Sequence, residues 1–187
     1  MRLIFTIALL SITSFSFGQT SVPTEPDPFD SIFKSRFPQA YAEIDHTFPS
    51  FELKRPNKTI NNKSIEGKVV LINFWFEGCA PCMAEMEALN DLFNNLKSNE
   101  DFLFISIARD NLEAINRVKK KYHLAFDAFP SNDKECKRLN FGSGYPTTIV
   151  LDKNGIIKNI HVGGPIEKED ASERVMTTLL SEVKALL

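Results

Sequence analysis

Three cysteines, three histidines and one tryptophan are all that 187 residues supply of the side chains most often recruited to metal and redox sites. Charge is also close to balance, with 22 Lys and Arg against 24 Asp and Glu and a formal net charge of −2. A basic excess that would hold phosphates is therefore missing, and nothing supports a nucleic-acid partner. No internal repeat is present. The apolar run at the start, Leu3 to Leu10, is interrupted by Ser11, Thr13, Ser14 and Ser16 before it reaches the ~20 residues that a membrane span needs. With Arg2 ahead of it and the small residues of Ser16-Phe17-Gly18 behind it, the run reads as a secretory signal cleaved near Gln19. No cysteine lies near that point, which argues against a lipid-anchored form.

The remaining composition, 43% hydrophobic and 25% charged, is that of a globular chain able to bury one sizeable core. Five of the ten prolines (Pro23, Pro26, Pro28, Pro38 and Pro49) fall in the next stretch, which reads as a linker at its start. The organisation expected is a signal over 1–18, a linker or N-terminal extension over 19–46, and one domain over 47–187. Within the extension Phe29, Phe33, Phe37 and Tyr41 recur every four residues, the spacing of an aromatic stripe on a short helix interrupted at Pro38. Such a stripe covers core, or else offers a docking face to a partner.

The chemistry centres on Trp75-Phe76-Glu77-Gly78-Cys79-Ala80-Pro81-Cys82. This Cys-x-x-Cys follows the apolar run Val69 to Phe74 and precedes a helical pattern, so it sits on a strand-turn-helix junction. A sulfur at a helix start is favoured as thiolate by the dipole and by unpaired N–H groups. Cys79 is the candidate nucleophile, and Cys82, one turn inside, suits the resolving role. Haem attachment needs a histidine after the second cysteine, where Met83 stands, and His46, His123 and His161 offer no zinc spacing. The histidines carry no further signal, and no metal or organic cofactor is expected. Pro81 is tolerated in the first turn, where its missing N–H costs nothing. Glu85, three residues beyond Cys82, shares its helix face. It borders the apolar stripe Cys82, Met86, Leu89, Phe93 and Leu96, so a raised pKa and a proton relay to Cys82 are expected. In an exported protein three cysteines make one redox pair and one odd thiol. Cys136, spaced helically with Leu139, reads as a buried structural thiol.

Periodicity predicts a hairpin from Phe51–Leu53 and Thr59–Ile60, a strand to Phe76, a helix from about Cys79 to Lys97, a strand over 102–107 and a helix over 112–122. A helical turn over 133–139, strands over 147–151 and 156–162, and a helix over 168–186 complete the pattern. So long a crossover after the first core strand implies parallel neighbours. Asn154-Gly155 predicts a tight antiparallel hairpin with left-handed residues.

Asn73-Phe74-Trp75, Cys79-Ala80-Pro81-Cys82, Glu85 and Tyr145-Pro146-Thr147-Thr148 together resemble the TlpA/ResA-like extracytoplasmic thiol-disulfide oxidoreductases of the thioredoxin-like superfamily, over the chain from about Thr47 onward. The resemblance implies an α/β thioredoxin fold, with a central mixed β-sheet flanked by helices and an N-terminal β-hairpin extension. It implies a Cys79–Cys82 dithiol/disulfide cycle with Glu85 as relay, and a cis Pro146 beside the disulfide. Trp75, Ala80, Pro81, Tyr145 and Pro146 would contact substrate. It further implies protein disulfide or dithiol substrates, a membrane electron donor and a periplasmic or extracytoplasmic monomer that acts as a reductase and serves cytochrome c maturation. An oxidase or isomerase would use the same residues, and a binding module would hold clients at the Tyr145-Pro146 groove with the disulfide at rest. The chain departs from thioredoxin itself in Asn73, where thioredoxin has a buried aspartate, and in Gly78, where it has tryptophan. The first departure leaves Glu85 as relay, because Asn cannot take up a proton. A peroxidase lacks support, since no Thr-x-x-Cys context surrounds Cys79.

Overall fold

The computed structural model describes residues 28–187, so the expected signal and the first part of the linker lie outside the described residues. The chain runs α1 (Pro28–Arg36), α2 (Pro38–Tyr41), β1 (Glu52–Arg55), β2 (Lys58–Asn61), α3 (Asn62–Ile65), β3 (Val69–Trp75), α4 (Ala80–Leu96) and β4 (Phe102–Ala108). It continues with α5 (Leu112–Lys121), β5 (Ala128–Pro130), α6 (Asp133–Leu139), β6 (Thr147–Leu151), β7 (Ile157–Val162) and α7 (Lys168–Arg174). A π-helical turn (Val175–Leu179) joins α7 to α8 (Leu180–Leu186).

Five strands form one mixed sheet in the order β5-β4-β3-β6-β7. β3 lies at its centre and every residue of it is buried, as its unbroken apolar sequence requires when both faces of a strand are covered. The helical crossover makes β3 and β4 parallel, whereas the β6–β7 hairpin runs antiparallel to its neighbours. Alternation along β3 divides the core. Val69, Leu71 and Trp75 pack with α4, α5 and the C-terminal helix, while Val70, Ile72 and Phe74 pack with α6 and the β1–β2 hairpin. Asparagines start three of the helices: Asn61, Asn111 and Asn132 each accept a backbone N–H of the first turn.

The aromatic stripe covers core. Phe33, Phe37 and Tyr41 lie partly buried against the second cluster, while the side chain of Phe29 is outside those described. The turn after β6 departs from expectation. Among the described residues Gly155 (φ 73°) has positive φ and Asn154 does not. The reason is Asp152, whose Oδ1 accepts the N–H groups of Asn154 and Ile156 at 2.8 and 3.0 Å and so builds a wider, side-chain-capped loop.

Candidate active site

Cys79 and Cys82 are joined as a disulfide with their Cα atoms 5.2 Å apart. Cys79 is the N-cap of the 17-residue helix α4, and its Sγ accepts the Cys82 N–H at 3.3 Å. Cys79 keeps 5% of its surface exposed and Cys82 none, the asymmetry that suits an attacking and a resolving sulfur. Pro81 occupies the first turn, and Ala80 is exposed beside it.

The register Phe74↔Thr147 brings the residues after β3 alongside those before β6. Phe76 and Tyr145 consequently meet edge to face, with ring centroids 5.3 Å apart, and the Tyr145–Pro146 peptide bond is cis. The guanidinium of Arg109 lies 4.1 Å from the Phe76 ring centroid and 5.2 Å from that of Tyr145, within cation–π range. Arg109 also pairs with Asp133 at 3.6 Å. Pro146 is tied from behind, where its carbonyl accepts the Gly163 N–H at 2.8 Å. Burial raises the Tyr145 phenol, which stays protonated at neutral pH.

Glu85 is more deeply placed than helix spacing alone implies, at 4% exposure. Its Oε1 accepts from Asn73 Nδ2 at 2.9 Å, and the same amide reaches Thr148 Oγ1 at 3.0 Å. Burial pushes the Glu85 carboxyl up to about 7, against the Asn73 hydrogen bond and the charges of Arg174 and His161, which draw it down. A carboxyl that titrates there can exchange a proton with a thiol near neutral pH. Cys136 is fully buried in α6 and burial raises its thiol, in keeping with a structural role. Among the described residues no group of histidines, cysteines and carboxylates could hold a metal ion.

The Trp75 side chain is completely buried beneath the redox pair, with Nε1 donating to Ser106 Oγ at 2.7 Å. Strand alternation is the reason, since the same pleat that turns Asn73 inward also turns Trp75 inward. Phe76 is half-buried and Arg109 exposed where the chain leaves β3 and β4. Neither was signalled by the sequence, although Phe76 immediately precedes the loop that carries the cysteines. Arg174 and His161, whose charges act on Glu85, were also missed, because only strand register and helix docking bring them near.

With the disulfide at the head of α4 and the sheet ordered as described, the chain falls in the class of thioredoxin-fold thiol–disulfide oxidoreductases. Within that class it belongs to the Redoxin family, whose profile matches residues 43–179. It is similar to the thioredoxin-like protein YneN of Bacillus subtilis, 29% identical over 128 residues, which are 65% of this chain and 72% of the relative. It is also similar to the thiol-disulfide oxidoreductase ResA of Geobacillus kaustophilus, 26% identical over 171 residues, which are 90% and 91% of the two chains. Among solved structures, the thiol-disulfide oxidoreductase from Bacteroides fragilis shares the fold with a TM-score of 0.59 at 23% identity, covering 73% of this chain and 98% of that one.

Proposed function

We propose that this chain is an exported reductase of protein disulfides, active outside the cytoplasm after loss of residues 1–18. The observation that carries this reading is the placement of Cys79 at the start of α4 with a buried carboxyl one turn beyond Cys82. The reduced Cys79 thiolate attacks a substrate disulfide, forming a Cys79–substrate bond and releasing one substrate sulfur, which takes up a proton. Cys82 then yields its proton to Glu85 and attacks Cys79 Sγ. The Cys79–substrate bond breaks, the Cys79–Cys82 bond forms, and the second substrate sulfur leaves and is protonated. Two electrons have passed to the substrate, and a reductant must return them, in this proposal a membrane donor. Ala80, Pro81, Tyr145 and cis Pro146 form the rim against which an extended segment of the client lies. The reducing direction, with exported cysteine proteins such as apocytochromes c as clients of a monomeric enzyme, is part of this proposal and rests on the resemblance to the TlpA/ResA-like family.

The test is a Cys82→Ser variant expressed with its leader in an envelope-bearing host. Attack without resolution should accumulate mixed disulfides with exported proteins, and a Cys79→Ser variant should give none. The wild-type couple, equilibrated with glutathione, should lie well below the ~−120 mV of a strong oxidant. A value near that limit would make the protein a disulfide donor, and absence of adducts despite a reactive Cys79 would leave a binding module.

A further inference from the structure

A polar line crosses the core beneath the redox pair, and disulfide exchange by itself does not call for it. Strand register sets Ser106, Asn73, Thr148 and His161 side by side across β4, β3, β6 and β7. None of the four is more than 3% exposed. Polar side chains buried in a row are costly unless each is engaged. Ser106 receives the Trp75 indole, and Asn73 spans Glu85 and Thr148. At the far end His161 Nε2 meets Glu182 Oε2 at 2.8 Å, and the Glu182 side chain keeps 22% of its surface exposed. The line therefore begins at Glu85, one turn from Cys82, and ends at solvent on α8.

The charges that act on Glu85 come from Arg174 at the end of α7 and His161 on β7, with Glu182 of α8 behind His161. Arg174 Nη1 and Glu85 Oε2 flank Gly164, at 3.6 and 3.8 Å from where a Cβ on that glycine would stand. Arg174 Nη1 also donates to the Gly163 carbonyl at 2.6 Å. The π-helical turn lies between Arg174 and Glu182 and so sets how the two residues face the sheet.

We propose that His161, held by Glu182, is a positioning residue for the resolving half-reaction, acting through Glu85 to keep that carboxylate available as proton acceptor for Cys82. The inference rests on the relay reading of Glu85 given above. Glu182 Oε2 holds the imidazole of His161 at 2.8 Å, and a positive charge on that ring favours the ionised form of Glu85. Removing either member should therefore make Glu85 harder to ionise.

The measurement is a 13C titration of the Glu85 side-chain carboxyl in the oxidised protein, with Glu85→Gln identifying the signal. The wild-type midpoint should fall near 7. In Glu182→Gln, a substitution at a partly exposed site that leaves the core intact, the midpoint should rise by about one pH unit, and His161→Gln should raise it at least as far. An unchanged or lowered midpoint in both variants overturns the proposal. The relay reading is scored separately, by the rate of mixed-disulfide resolution in Glu85→Gln over roughly pH 5 to 9. If that variant matches wild type, the relay reading fails even where the titration moves, and if it slows while the titration stays still, the role of His161 alone is lost.

Discussion

At position 85 burial and charge are set against each other, and the outcome is measurable as stability. The carboxyl ionises at about 7 in the folded chain against an ordinary value of 4.5. Below about 4.5 both states are neutral and the folded state carries no penalty. As pH rises towards 7 the unfolded chain ionises first, so stability falls, and above 7 the loss is constant. At about 1.4 kcal/mol per pH unit that gap amounts to about 3 kcal/mol. Glu85→Gln keeps an oxygen for Asn73 and removes the titration. Urea denaturation should find the variant near parity with wild type at pH 4 and more stable than it by about 3 kcal/mol at pH 8. A difference that does not change with pH would mean that Glu85 ionises as an ordinary surface carboxylate. The exposed pair Glu77–Arg117, at 2.6 Å, lowers the Glu77 carboxyl but faces water and salt, and adds little to the fold. The Cys79–Cys82 pairing and the buried, raised carboxyl of Glu85 were legible in the sequence because all three residues lie within seven positions on one local element. The full burial of Trp75 was not legible, because it depends on which face of the sheet the residue occupies.

Elements were legible wherever a local signal set their limits. α4 begins where a capping side chain and Pro81 permit it, and α6 spans Asp133–Leu139 as its pattern predicts because Asn132 caps it at 2.9 Å. The β6–β7 connection was legible as antiparallel but not in its geometry, since the deciding contact is made by Asp152, outside the dipeptide that signals the turn. Gly155 alone takes the left-handed backbone there, and a Cβ on it would meet only Ile65 Cδ1 at 3.7 Å, an ordinary contact. The strain of Gly155→Ala is therefore that of the backbone, about 1–2 kcal/mol. The urea midpoint should fall accordingly with an unchanged slope. Gly155→Asn, which tolerates this conformation, should lose less. If Ala and Asn cost the same, the loop has relaxed out of the left-handed region.

Across the whole molecule, one sheet separates two cores. The redox pair and Glu85 lie on one side of it, and the N-terminal helices pack on the other. What the sequence left unread, such as Arg174 near Glu85 or Thr148 bonded to Asn73, depends on registers and helix docking between segments far apart in the chain, which no local pattern encodes. Gly163 is where the two sides approach each other. Its N–H holds the Pro146 carbonyl and its own carbonyl takes Arg174. It has positive φ, and a Cβ there would collide with the Phe33 ring of α1. Gly163→Ala thus carries two separable costs, backbone strain of about 1–2 kcal/mol and the clash with Phe33. Phe33→Ala removes the ring and leaves only the first. In a double-mutant cycle read by urea denaturation, the pair should be less destabilised than the sum of the single variants, by about 0.5–3 kcal/mol. Strict additivity would mean that the arm gives way before it presses on Gly163. In that case the N-terminal helices would not brace the loop that carries Pro146.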